Sequence, residues 1–100
     1  MSFIPDGNNL FVVSLEYLVP FDQVEPHLDA HMEWIKDCLS ANMILVAGAK
    51  VPRTGGVIIA TAESAEALQA TLERDPFHSE GIASFSVTEF RPNTRADLLK

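Results

Sequence analysis

Two short apolar runs, Met43–Ala49 and Val57–Ala62, constrain this chain more than any other feature. Each has the length of a strand, and neither alternates, so both faces of both strands call for apolar cover. The loop between them, Lys50-Val51-Pro52-Arg53-Thr54-Gly55-Gly56, supplies turn residues and joins the runs as a hairpin. Ahead of them, Leu10–Leu18 sets Phe11, Val13, Leu15 and Tyr17 against Val12, Ser14 and Glu16, the period of a strand with two unlike faces. Near the end, Ser84–Phe90 does the same, with Phe85 and Val87 opposite Ser84, Ser86 and Thr88.

Between the first two strands, Asp22–Ala41 predicts a helix. Val24, Leu28, His31, Met32, Ile35 and Leu39 recur at three- and four-residue spacing as one stripe, with His27, Trp34 and Cys38 at its edge. Asp29, Glu33, Lys36 and Asp37 fall off the stripe. Asp22 suits the N-cap, Pro26 the first turn, and Asn42 a left-handed stop. A second helix opens on Ser64, carries Leu68 and Leu72, and is stopped by Pro76. Strand, helix, strand, strand, helix, strand is the ferredoxin-like βαββαβ order, an α+β antiparallel sheet with two helices on one face. The other face of the apolar strands then needs a cover, and a second copy packed sheet to sheet is the economical one, so a homodimer is expected. One domain spanning 1–100 is expected, with its core at 10–92, an N-terminal arm at Met1–Asn9 and a polar tail at Arg91–Lys100.

Charge excludes two partner classes. The net charge is −7, and the seven Lys and Arg residues are scattered, so no basic stripe exists for nucleic acid or for an anionic membrane surface. Cys38 is the only cysteine, which rules out an intramolecular disulfide and a cysteine-rich metal site. No run is long enough to span a membrane, and no basic segment followed by an apolar run opens the chain, so a cytoplasmic protein is the default expectation.

His31 poses the chemical question, because a titratable ring in an apolar stripe is costly unless something hydrogen-bonds it. Asp75, just after the second helix, is its best candidate partner, and such a carboxylate would fix the imidazole tautomer for acid–base work. Asp75-Pro76 also reads as an N-cap followed by proline at the first helical position, capping a short turn through Phe77 and Ser79 that Gly81 ends. Spacing alone favours the cap. His27 and His31 stand four apart, the spacing of helical metal ligands, but no third ligand accompanies them and no metal is expected. His78 reads as a surface residue beside the Asp75 turn. Gly55-Gly56 lacks the spacing and the following helix of a phosphate loop. Ser14 and Ser86 lack a nucleophile-elbow context and are expected as polar lining, with Glu16 and Thr88, of a cavity near the dimer interface.

Several stretches taken together resemble one family. The His31 helix, Ile44-Leu45-Val46-Ala47-Gly48, Pro52-Arg53-Thr54-Gly55-Gly56-Val57-Ile58, Asp75-Pro76-Phe77 and Val87-Thr88-Glu89-Phe90-Arg91-Pro92 are similar in order and spacing to the YCII-related (YciI-like) family, over roughly 10 to 92. The resemblance implies a dimeric α+β barrel and an active site built on a His–Asp pair, His31 and Asp75. Members of such families usually carry Gly after the first helix, where this chain has Asn42, and Gly-Pro after the second strand, where it has Gly48-Ala49. Relatives include a dehydrochlorinase acting on a chlorinated hydroxyquinol, and the wider barrel class includes lactone isomerases and monooxygenases. The expected function is a small cofactor-independent enzyme moving protons on a small cyclic or aromatic metabolite. His31 would be the acid–base group and Asp75 its orienter, with Arg53, His27, Ser14 and Ser86 as candidate ligand contacts. The alternative is a non-catalytic dimeric module that binds a small ligand in the same pocket.

Overall fold

The structure, a computed structural model, describes residues 3–100. The first two residues of the expected arm, Met1 and Ser2, lie outside that range, and Ile4 within the arm is buried. Four strands form one antiparallel sheet: β1 (Asn9–Tyr17), β2 (Ile44–Ala49), β3 (Gly55–Ala62) and β4 (Ala83–Phe90), in the order β2-β3-β1-β4. Helices α1 (Phe21–Val24) and α2 (Leu28–Ser40) follow β1, while α3 (Ala65–Leu72) and α4 (Pro76–Ser79) follow β3. This is the ferredoxin-like arrangement that the alternation of elements predicts.

Register decides which residues face the helices. Val13 pairs with Ile58 and Val87, and Leu15 with Gly56 and Phe85. Because side chains alternate along a strand, Phe11, Val13, Leu15 and Tyr17 share the helix-covered face with Ile58 and Ala60. Phe11, Val13, Leu15, Ile58 and Ala60 are buried there against Val24, Trp34, Ile35, Leu68, Leu72 and Phe77. Ser14, Ser86 and Val57 pair across the three strands on the open face.

The long helix departs from expectation in two ways. Pro26 cannot supply an amide to the helical ladder, so the stretch breaks into α1, a 3₁₀ turn at Glu25–His27, and α2. The buried side of α2 is also rotated toward Trp34 and Cys38, both buried, whereas Met32 and Leu39 are 46% and 41% exposed. Trp34 explains the rotation, since its indole N–H donates to the Thr71 carbonyl of α3 at 3.2 Å and needs that face turned inward. Asn42 holds φ +60° after α2, the left-handed stop that its side chain tolerates. Ser64 caps α3 by accepting from the Ala67 amide at 3.0 Å. β2 lies at the sheet edge, so its apolar run is covered only at its start, where Ile44 is buried, and Val46 is 58% exposed. Among the described residues no helix is long and apolar enough to cross a membrane.

Candidate functional site

Asp75 makes a capping contact and a contact to His31, both through one oxygen. Pro76 opens α4 without an amide to satisfy, and Asp75 Oδ1 accepts the next free donor, the Phe77 N–H, at 3.0 Å. The same Oδ1 lies 2.8 Å from His31 Nδ1 on α2. Gly81, at φ +66°, turns the chain after α4 toward β4, so a short capped turn fixes the carboxylate's position. Asp75 is fully buried, and its second oxygen, Oδ2, is also buried and has no hydrogen-bond partner among the described residues. A buried polar atom without a partner is unusual in a folded protein.

The imidazole is held on two sides. Phe77 stacks on it almost parallel, with ring centroids 3.9 Å apart and planes 2° from parallel. Phe77 therefore touches both members of the pair, His31 through its ring and Asp75 through its amide. With Nδ1 donating to the carboxylate, a neutral ring carries its proton on Nδ1 and leaves Nε2 as an acceptor for a ligand. The His31 side chain remains 13% exposed.

That exposure is to a cavity of about 150 Å³ between α2 and the sheet. Leu28, His31, Met32 and Ile35 line it from α2, Leu15 and Tyr17 from β1, and Phe77 from α4. Ala47, Ala49 and Gly56 leave room on the sheet side. Gly56 sits in register between Leu15 and Ala49, where a Cβ would approach the Gly48 carbonyl oxygen to 3.2 Å and take up cavity space. Arg53 stands at the rim, its guanidinium 4.8 Å over the Phe21 ring, and pairs with no carboxylate among the described residues. A proton-accepting nitrogen, a cation and mostly apolar walls suit a small, oxygenated, anionic ligand.

The model of the YCII-related domain matches residues 10–91. The chain belongs to the YCII-related family. Among solved structures, this YCII-related chain resembles 5-chloro-2-hydroxyhydroquinone dehydrochlorinase (TftG) from Burkholderia phenoliruptrix AC1100, in complex with 2,5-dihydroxybenzoquinone, with a TM-score of 0.71. The match is 22% identical in sequence and covers 82% of this chain and 93% of that one, and at that identity it carries the fold. No curated protein matches the chain in sequence.

Of the residues singled out from sequence, the YCII-related fold brings His31, Asp75 and Arg53 to this cavity, with Asp75 behind the imidazole. His27 lies in the 3₁₀ turn ahead of α2 and does not line it. Ser14 and Ser86 are paired neighbours on β1 and β4, but the sheet separates them from His31. Strand parity is the reason: Val13 and Leu15 face the helices, so Ser14 cannot. His78 packs edge-on against Phe85, with centroids 5.5 Å apart. Among the described residues no group of three or more His, Cys, Asp and Glu comes together as a metal site would require. Cys38 is buried, and burial raises its thiol pKa above the ordinary value, against a smaller lowering by Arg74. Tyr17 and Gly56 are among the lining residues that sequence alone does not assign to a cavity. Tyr17 shares the parity of Leu15, which was the available signal.

Proposed function

We propose that the protein is a cofactor-independent enzyme that moves protons on a small cyclic or aromatic metabolite. His31 is the acid–base group, Asp75 its orienting partner, and Arg53 the anchor for an anionic substituent. The observation that carries this reading is the 2.8 Å contact between His31 Nδ1 and the buried Asp75, made by a ring that also lines a cavity. The ligand of the similar dehydrochlorinase, a single oxygenated ring, supports the same substrate class here. In a lyase-type turnover, Nε2 accepts a proton from a substrate O–H or C–H. The electron pair of that bond moves into the ring, and a leaving group such as chloride departs with its own pair. Asp75 stays ionised and stabilises the imidazolium until the proton leaves.

The test is turnover of a panel of hydroxylated and chlorinated single-ring compounds, followed by proton NMR in D₂O and by chloride release. At least one compound is expected to exchange a proton or lose chloride with the wild type and not with His31→Asn. Turnover that survives His31→Asn contradicts the reading, and saturable binding without any turnover favours a binding module.

The same reading includes a homodimer joined through the open face of the sheet. Val46 and Phe90 are 58% and 42% exposed, and Val57 and Ile59 on the same face are only half-buried. Monomeric proteins rarely leave such a face to water. Sedimentation at micromolar concentration is expected to give a dimer, and a stable folded monomer there contradicts it.

A further inference from the structure

We infer that the Tyr17 hydroxyl is a ligand-binding group of the His31 cavity, hydrogen-bonding an oxygen of an anionic single-ring ligand whose charge Arg53 holds. The inference rests on the cavity being the ligand site, as proposed above. Tyr17 ends β1 and lines the cavity with His31. Its ring meets Phe77 edge-on at 6.1 Å and 85°, and meets Phe21 at 6.1 Å and 53°. Phe77 is the ring stacked on His31, and Phe21 is the ring beneath the Arg53 guanidinium. Tyr17 therefore stands between the two groups that the proposed chemistry uses, with its ring supported on both sides. Its backbone amide also donates to the Thr54 carbonyl at 3.0 Å, which ties the residue next to Arg53 to Tyr17 itself.

The hydroxyl is the part that packing does not explain. It makes no hydrogen bond among the described residues, and phenylalanine would fill the same contacts with Phe21 and Phe77. The neighbouring wall is apolar, formed by Leu15, Leu28, Ile35 and Ile58. A hydroxyl offered to such a cavity would discriminate between an oxygenated ligand and its deoxy analogue, because a group that hydrogen-bonds the right ligand is left unpaired by the wrong one.

The chain contains one tyrosine and one tryptophan, which makes the test direct. Trp34, with its ring centroid 6.1 Å from that of His31, reports binding by fluorescence, and 3-fluorotyrosine incorporation gives a single ¹⁹F signal at Tyr17. The probe is 4-hydroxybenzoate, with benzoate and phenol as its one-oxygen analogues. Tyr17→Phe is expected to raise the Kd of 4-hydroxybenzoate about tenfold, as losing one ligand hydrogen bond does. One of the two analogues should bind wild type and Tyr17→Phe alike, which names the oxygen that Tyr17 touches. The ¹⁹F signal of the labelled wild type should shift with the same Kd that fluorescence gives, whatever the variant's folding. An unchanged Kd in Tyr17→Phe, or a ¹⁹F signal that stays fixed at saturation, overturns the inference. If Arg53→Gln and His31→Asn weaken binding and Tyr17→Phe does not, the inference fails while the proposed site stands. If Tyr17→Phe weakens binding and His31→Asn does not, Tyr17 is upheld and the role of His31 fails. No saturable binding of 4-hydroxybenzoate to the wild type overturns the ligand class, and the turnover panel then judges the proposed function separately.

Discussion

Replacing Asp75 with alanine removes an oxygen that two elements share, so its cost can be worked from the geometry. The α4 cap at the Phe77 amide is lost, which costs about 0.5–2 kcal/mol. His31 Nδ1, held at 2.8 Å, is left without a partner, which costs about 1–3 kcal/mol when the donor is buried. Removing the unpartnered Oδ2 offsets part of this, so a net loss of about 2–3 kcal/mol is expected. Asp75→Asn behaves differently, because the amide oxygen still accepts from the Phe77 amide and from Nδ1–H. Its new NH₂ group enters the site of Oδ2, where it finds no acceptor, for about 1 kcal/mol. Urea unfolding at pH 7, followed by Trp34 fluorescence at one protein concentration, measures both. Thermal melts should show Asp75→Ala lowered by roughly 10–20 °C, given about 4–8 °C per kcal/mol for a domain of this size. An alanine variant within about 0.5 kcal/mol of wild type would refute the shared-oxygen account. So would an asparagine variant as damaged as the alanine one.

Other substitutions test the frame around the site. Gly55→Ala would drive a Cβ into the Leu15 carbonyl oxygen, so β1 and β3 cannot keep their register. A loss of about 4 kcal/mol or more is expected in urea unfolding, and near-wild-type stability would contradict the pairing. Asn42→Ile forces a β-branched residue to φ +60° and should cost about 1–2 kcal/mol in the same assay, while Asn42→Gly should be neutral or slightly stabilising. Cys38 should react with a thiol reagent far more slowly in the native protein than in urea, since it is buried and its thiol is held neutral. Because its folded pKa is raised, the unfolded thiol ionises first as pH rises. Stability is therefore unaffected by Cys38 at neutral pH and falls in alkali, through the unfolded pKa toward the folded one, an effect that Cys38→Ala should remove.

The order of elements was legible because each signal was local. Alternation marked β1 and β4, unbroken apolar runs marked β2 and β3, and Ser64, Asn42 and Gly81 each punctuate the chain by their own backbone chemistry. What depended on neighbours was less legible. Met32 and Leu39 look like core on a helical wheel, yet the Trp34–Thr71 hydrogen bond turns α2 so that they are exposed. Spacing presented the Asp75 cap and the His31 pairing as rivals, because sequence does not show that one carboxylate oxygen can accept both from an amide two residues on and from an imidazole 44 residues back along the chain. Alternation puts Ser14 and Ser86 on one face of the sheet but does not show which face His31 occupies. The register places them across the sheet from it. Tyr17 was hidden for the opposite reason, as an alternating strand residue whose packing role was sufficient to account for it.

The central claim is that Asp75 holds the His31 imidazole by Nδ1 and presents Nε2 to the cavity. Two-dimensional ¹⁵N–¹H NMR of the histidine rings tests it without any substrate, because it reads which nitrogen carries the proton. The account predicts a neutral His31 protonated at Nδ1, with a strongly hydrogen-bonded Nδ1 proton that Asp75→Ala abolishes. A neutral His31 protonated at Nε2, with ring signals unchanged in Asp75→Ala, would contradict it.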